Sequence, residues 1–131
     1  FKRDETALLS LNSNEVIDNL ADPNGTGNSK NQQPSYVTSQ FRSIENTEGV
    51  AVIVGVCTHL GCSPTYRPEP GAADLGGDSW KGGFYCPCHG SKFDLAGRVY
   101  AGVPAPTNLE IPPYKYMTDT LIRIGIDPEL S

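Results

Sequence analysis

Two hexapeptides contain all four cysteines and both histidines of this 131-residue chain: Cys57-Thr58-His59-Leu60-Gly61-Cys62 and Cys86-Pro87-Cys88-His89-Gly90-Ser91. We call them the first box and the second box. Each box offers one cysteine and one histidine at short range, Cys57 with His59 and Cys86 with His89, plus one extra cysteine. Thiolates and imidazoles bind zinc and iron. The clustering therefore indicates a metal centre.

The spacing alone leaves three kinds of site open. Two cysteines and two histidines can form a closed structural zinc site, or four cysteines can form two disulfides beside unrelated histidines. A single residue separates Cys57 from His59, and two surplus cysteines lie beside the ligands, which a zinc module does not need. Because both histidines lie next to cysteines, the pattern favours an iron-sulfur site over both alternatives.

The two boxes resemble, residue for residue, the cluster-binding motifs CTHLGC and CPCHGS of the Rieske iron-sulfur proteins of respiratory and photosynthetic cytochrome bc complexes. The resemblance is closest over residues 50–106, and the length of residues 63–85 is more similar to bacterial members. It implies one 2Fe-2S cluster per chain with four ligands: Cys57 and Cys86 at one iron, His59 and His89 at the other.

The same resemblance implies a disulfide between Cys62 and Cys88. Cytosolic Rieske ferredoxins and the Rieske domains of ring-hydroxylating oxygenases lack this cysteine pair, which therefore favours the quinol-oxidising branch of the family. The small subunits of arsenite oxidases remain an alternative to the quinol-oxidising branch. A disulfide also indicates an oxidising compartment.

The resemblance implies an electron carrier, the iron-sulfur subunit of a quinol–cytochrome c oxidoreductase. Two imidazoles in place of two thiolates raise the cluster potential to roughly −150 to +300 mV, compared with about −400 mV for all-thiolate clusters. His89 and His59 also carry a metal-free nitrogen that can take up a proton. We therefore expect one electron and one proton to leave a quinol, and the expected protein partners are cytochrome b and a c-type cytochrome.

Residues near the boxes have implied roles as well. Ser91 is expected to donate a hydrogen bond to a bridging sulfide, and Leu60 to help form the surface that docks at the quinol pocket. Phe93 occupies the position at which many family members with a high reduction potential have a tyrosine. The hydroxyl of that tyrosine donates a hydrogen bond to a ligand cysteine sulfur. Residues 102–106, Gly-Val-Pro-Ala-Pro, match the stiff proline loop that covers the cluster.

Composition predicts one small domain that binds no nucleic acid. The net charge is −5, and the sequence holds 14 glycines and 11 prolines, typical of turns and short strands. The longest apolar run, residues 50–57, is too short to cross a bilayer. Because family members have an N-terminal membrane anchor, we expect this chain to be a soluble fragment without it, its head domain on the periplasmic side of a bacterial inner membrane.

The pattern of short strands predicts an all-β fold. The resemblance implies layered antiparallel sheets, with a cluster-binding subdomain (about 57–106) inserted in a larger base (about 1–56 and 107–131). A helix is expected from residue 15 to residue 20, capped by Ser13, and a polar loop over 23–34. Residues 63–85 are expected to be a solvated excursion, held to the body by Trp80 and Tyr85. Strands are predicted at residues 7–11, 36–43, 50–56, 84–85, 92–94, 109–111, 114–117 and 121–126.

Overall fold

The computed structural model describes residues 1–23, 33–34, 36–37 and 41–125. Within these residues, two short α-helices precede five strands, and two single 3-10 turns lie in the segment between the boxes. The elements in chain order are α1 (Glu5–Leu11), α2 (Asn14–Ile17), β1 (Thr65–Arg67), the 3-10 turns Ala73–Leu75 and Gly77–Ser79, β2 (Gly83–Tyr85), β3 (Lys92–Asp94), β4 (Tyr114–Thr118) and β5 (Leu121–Ile124).

A three-stranded antiparallel sheet in the order β1-β2-β3 positions both boxes. At one end of this sheet, Thr65 pairs with Tyr85, and Tyr85 pairs with Lys92. The first box ends just before β1, and the second box is the loop that joins β2 to β3. Because these strand ends are adjacent in the sheet, the two boxes emerge side by side.

Strands β4 and β5 form a separate antiparallel hairpin, and isolated bridges join Lys2 to Val50 and Leu20 to Tyr100. These pairings are short and antiparallel, and the helices are small, which confirms the all-β prediction. The division into a cluster-binding subdomain and a base stays a prediction. Among the residues that the structure describes, no helix has both the length and the apolarity to span a bilayer.

The N-terminal prediction was wrong in one respect. Residues 7–11 lie in helix α1, where we predicted a strand. The side chain of Asp4 caps this helix by accepting a hydrogen bond of 2.8 Å from the Ala7 N–H, and the Ala, Leu and Glu residues that follow favour a helix. Over so short a stretch, an apolar run does not distinguish a helix from a strand. The next helix begins after Ser13, as predicted, but ends at Ile17.

Two other predicted strands are absent from the described residues. In the stretch 50–56, only Val50 forms a bridge, although the Val54 N–H donates to the Glu110 carbonyl at 2.8 Å. Residues 109–111 likewise form no strand, so this contact is a single hydrogen bond and not a ladder. Tyr36, Val37 and residues 41–43 lie in turns or irregular backbone, whereas 38–40 and most of the loop 23–34 fall outside the described residues.

The strand predictions around the second box and near the C-terminus are confirmed by β2, β3, β4 and β5. Strand β5 ends at Ile124, before the predicted end, and residue 126 lies outside the described range. The segment 63–85 is more than a solvated excursion, because its first part is strand β1. Trp80 is 2% exposed, and its ring centroid lies 6.2 Å from that of Tyr100. The predicted anchoring role of Trp80 is therefore confirmed, and Tyr85 packs against the same apolar cluster.

Candidate metal centre

The first box is a tight loop closed by two backbone hydrogen bonds. The Cys57 N–H donates to the Cys62 carbonyl at 2.7 Å, and the Gly61 N–H donates back to the Cys57 carbonyl at 3.0 Å. Gly61 has a φ of 83°, a conformation in which glycine avoids the Cβ clash of other residues. The chain thus turns back sharply, and residues 58–60 lie in the turn between the closing bonds.

The second box has the same backbone pattern, position for position. The Cys86 N–H donates to the Ser91 carbonyl at 2.8 Å, and the Gly90 N–H donates to the Cys86 carbonyl at 2.9 Å. Gly90 has a φ of 84°, matching that of Gly61. The two boxes are therefore equivalent loops in which the first residue is a cysteine and the fifth is a glycine.

The first cysteine of each box points inward. Cys57 and Cys86 are each 2% exposed and carry free thiols, which are in hydrogen-bonding contact with each other. Burial raises the pKa of the Cys57 thiol, and the contact with Cys86 raises it further. A buried thiol such as Cys57 ionises more readily beside a positive charge, which a bound iron would supply.

The histidines lie on the outer side of the same site. The His59 and His89 rings meet edge to face, with centroids 4.9 Å apart and an angle of 84° between their planes. His89 is exposed and His59 is half-buried. Two thiols thus lie on the buried side of the boxes and two imidazoles nearer the surface, and these four side chains would fit an iron-sulfur cluster with mixed ligands.

The predicted disulfide is present between Cys62 and Cys88, whose Cα atoms lie 6.6 Å apart. It covalently joins the first box to the second. The sulfur of Cys86 lies within 4.8 Å of both disulfide sulfurs, but these three atoms are not a metal site of their own. Two of them are already bonded to each other and are not available as thiolate ligands.

Ser91 links the second box to the first box and to the proline loop. Its side chain is fully buried, its hydroxyl oxygen accepts a hydrogen bond of 3.0 Å from the Ala105 N–H, and it contacts the Cys57 sulfur in a hydrogen bond that lowers the pKa of that thiol. The hydroxyl therefore lies at the sulfur side of the site, where a donor stabilises negative charge.

Thr58 is a residue to which the sequence analysis gave no role. Its hydroxyl donates a hydrogen bond of 2.7 Å to the Thr107 carbonyl, so the first box is also attached to the segment that carries the proline loop. This role was hard to predict, because the only indication in the sequence is one hydroxyl residue between two candidate ligands. The acceptor is a backbone carbonyl 49 residues away, and no pattern of side chains identifies it.

Two further residues to which the sequence analysis gave roles lie within or beside the boxes. Phe93 is fully buried and packs in the same apolar cluster as Cys57 and Cys86. Leu60 lies at the tip of the first box and is 67% exposed. A large apolar side chain beside the histidines thus faces outward, available for contact with another surface.

Comparison with known proteins gives the class of the site. Residues 28–115 match the family described as the Rieske [2Fe-2S] domain. The match covers more than half of the chain, and the chain belongs to this family. Its cofactor is a [2Fe-2S] cluster, which decides between the iron-sulfur, zinc and disulfide alternatives that the spacing left open.

The chain is also similar in sequence to named proteins of this family. The chain is 55% identical over 125 residues to the ubiquinol-cytochrome c reductase iron-sulfur subunit of Allochromatium vinosum, covering 95% of this chain and 56% of that protein. It is 46% identical over 92 residues to the subunit of the same name in Bradyrhizobium diazoefficiens, covering 70% and 46% of the two chains. The mitochondrial cytochrome b-c1 complex subunit Rieske of Theropithecus gelada is 46% identical over 74 residues, 56% and 23% of the two chains. The chain thus spans about half the length of these bacterial relatives and less of the mitochondrial one.

Proposed function

We propose that this chain is the iron-sulfur subunit of a quinol–cytochrome c oxidoreductase. It takes one electron, coupled to one proton, from a quinol and passes the electron to a c-type cytochrome. The observation that carries this proposal is the arrangement of the site, in which two buried thiols lie in the same two loops as a pair of neighbouring imidazoles, His89 exposed and His59 half-buried. The names of the bacterial relatives support it.

In this proposal, Cys57 and Cys86 hold one iron, and His59 and His89 hold the other. The buried position of the thiols and the contact between them support the first pair. The short distance between the two rings supports the second pair. When bound, the cluster supplies one-electron acceptance at a potential of roughly −150 to +300 mV.

The histidines serve as proton acceptors in this proposal. An imidazole bound to metal through one nitrogen keeps the other nitrogen for a hydrogen bond or a proton. His89 is the exposed ring, so its free nitrogen is the one that a quinol hydroxyl reaches, with His59 beside it. Leu60 forms the apolar rim of this surface and contacts the quinol pocket of cytochrome b.

Ser91 and Phe93 influence the cluster from the side of the site that holds the cysteine sulfurs. The buried Ser91 hydroxyl donates toward the cluster sulfur and stabilises the added electron. Phe93 fills the space behind the cysteines without offering a donor, which sets a lower potential than a tyrosine would. The Cys62–Cys88 disulfide holds the two boxes together and requires an oxidising compartment, which supports the periplasmic side of a bacterial inner membrane.

Affinity purification of the tagged full-length protein from its native membranes tests this assignment. The expected result is co-purification with cytochromes b and c and reduction of added cytochrome c by ubiquinol, lost in a His89→Ala variant that no longer assembles the cluster. Co-purification with a molybdenum subunit and arsenite-dependent activity would instead assign the chain to an arsenite oxidase. A reducible cluster in His89→Ala would reassign the ligand.

A further inference from the structure

Ala105 lies in the proline loop between two residues that have no backbone N–H. Pro104 and Pro106 are exposed, whereas Ala105 is 4% exposed. Ala105 packs in the apolar cluster that contains Cys57 and Cys86. It is therefore the residue of this tripeptide that reaches inward to the candidate metal centre, and it is the one with an N–H to donate.

The Ala105 N–H donates to the hydroxyl oxygen of Ser91 at 3.0 Å, across 14 positions of sequence. Both residues are buried. The neighbouring prolines restrict the backbone on both sides of this N–H, because proline fixes its own φ and limits the residue before it to extended conformations. The covalent structure of the loop thus helps to hold the donor in one direction.

Hydrogen bonding and a glycine turn restrain the two ends of the loop. The Thr107 carbonyl, two residues after Ala105, accepts the hydrogen bond of 2.7 Å from the Thr58 hydroxyl in the first box. At the other end, Gly102 has a φ of 79°, a conformation that glycine adopts without steric cost. The position of the Ala105 N–H is therefore fixed relative to the first box and, through Ser91, relative to the second.

This hydrogen bond limits where the Ser91 hydroxyl proton points. A serine hydroxyl has one proton and two lone pairs, and the Ala105 N–H takes up a lone pair. Among the described residues, the other hydrogen-bonding contact of this hydroxyl is the Cys57 sulfur. An N–H donor also polarises the hydroxyl to which it is bonded and so strengthens the hydrogen bond that the hydroxyl donates in turn.

We propose that Ala105 is a positioning residue whose N–H orients the Ser91 hydroxyl toward the cysteine sulfurs and thereby raises the reduction potential of the cluster. This inference deepens the proposed function and rests on the role assigned there to Ser91. A hydroxyl that donates to a cluster or ligand sulfur stabilises the added electron. Without the Ala105 N–H, the hydroxyl loses this orientation and part of its polarisation, so the reduced state is less stable.

Midpoint potentials of purified holoprotein test this inference, measured by protein-film voltammetry after iron content has been verified. Replacing Ala105 by L-lactic acid turns one peptide bond into an ester, which removes the N–H and keeps the methyl group. We expect the equilibrium constant for reduction to fall by up to about tenfold, equal to about 59 mV for a one-electron couple.

Two controls separate the N–H from other effects of the ester. Ala105→Gly keeps the N–H and removes the methyl group, so it should stay near the wild-type potential. An ester at Ala51 removes a different buried N–H, which donates to the Phe1 carbonyl at 2.9 Å, and should also leave the potential near that of the wild type. Ala105→Pro removes the same N–H by ordinary mutagenesis and is the second variant if the ester protein does not fold.

Ser91→Ala shows whether the N–H acts through the hydroxyl. This variant should lower the potential at least as much as the Ala105 ester, and adding the ester to it should cause no further shift. Pulsed electron-nuclear double resonance of the reduced protein gives a second readout. The hyperfine coupling of the exchangeable proton that is lost in Ser91→Ala should be smaller in the ester variant, with the imidazole nitrogen couplings unchanged.

An unchanged potential in the ester variant, or an equal further fall when the ester is added to Ser91→Ala, would overturn the role of Ala105. Loss of the cluster in both variants that lack this N–H would also overturn it and would assign the N–H to the structure of the loop alone. An unchanged potential in Ser91→Ala would instead refute the role of Ser91 in the proposed function, so the two failures are distinguishable.

Discussion

The Thr58 hydroxyl donates a hydrogen bond of 2.7 Å to the Thr107 carbonyl. Ser91, in the second box, accepts a hydrogen bond from the Ala105 N–H two residues earlier in that segment. Each box is therefore fixed to the same stretch of backbone by one hydroxyl. Together with the disulfide, these bonds hold the four candidate ligands in one rigid frame.

Replacing Thr58 by valine tests this attachment. The change keeps the shape of the side chain and removes the donor, leaving a partly buried carbonyl unsatisfied, so we expect the free energy of unfolding to fall by about 1 to 3 kcal/mol. Urea unfolding followed by the visible circular dichroism of the cluster measures it. Thr58→Ser keeps the donor and is the control. Equal losses in both variants would show that the methyl group, and not the hydroxyl, matters.

Removing the disulfide should have a larger effect. The Cys62–Cys88 bond joins residues 26 positions apart, and closing a loop of this size lowers the entropy of the unfolded chain enough to stabilise the fold by roughly 3 to 4 kcal/mol. We expect the Cys62→Ala/Cys88→Ala variant to lose about this much and to release the cluster at a lower temperature. Calorimetry with parallel iron analysis measures both. An unchanged melting temperature would contradict the claim that the disulfide helps to hold the two boxes together.

Phe93→Tyr tests the placement of the ring behind the cysteines. A hydroxyl added there can donate to a ligand sulfur, and such a bond stabilises the reduced state. We expect a higher midpoint potential, by up to about 59 mV if the equilibrium constant for reduction rises tenfold. Phe41→Tyr, in a different apolar cluster, is the control. A rise in neither variant would mean that Phe93 does not reach a ligand sulfur.

Alkaline pH should destabilise the domain through Tyr114. Burial raises the pKa of this fully buried tyrosine above its ordinary value of 10, so the neutral phenol is favoured in the folded state. Its contribution to stability is fully present below pH 10 and is lost as the pH rises from 10 through the higher folded pKa. Chemical unfolding at pH 8, 10 and 11 should show this loss. It should be smaller in Tyr114→Phe, and an equal loss in that variant would place the cause elsewhere.

How far the sequence predicts this structure depends on the range of the interactions involved. The boxes were predictable because clustered cysteine and histidine residues are typical metal ligands, and the disulfide was predictable from the resemblance to a known family. Strands β2 and β3 flank the second box, and their aromatic residues favour strands. Helix α1 was missed because its signal lies in Asp4, a single capping residue.

Long-range partners were beyond the sequence pattern. Nothing local distinguishes residues 50–56, which form scattered backbone bonds, from a strand that joins a sheet. Arg42 likewise resembles an ordinary surface cation in the sequence, yet its acceptors lie 54 and 67 residues away. Burial of such a group depends on the complete tertiary structure, so it can be inferred only from coordinates.

Pulsed electron paramagnetic resonance of the dithionite-reduced protein tests the central claim most directly, namely that one iron is bound by the thiolates of Cys57 and Cys86 and the other by the imidazoles of His59 and His89. We predict two irons and two acid-labile sulfides per chain, with hyperfine coupling to nitrogen from two distinct imidazoles. Coupling to no nitrogen ligand, as in an all-thiolate cluster, or the absence of iron from freshly isolated protein would contradict it.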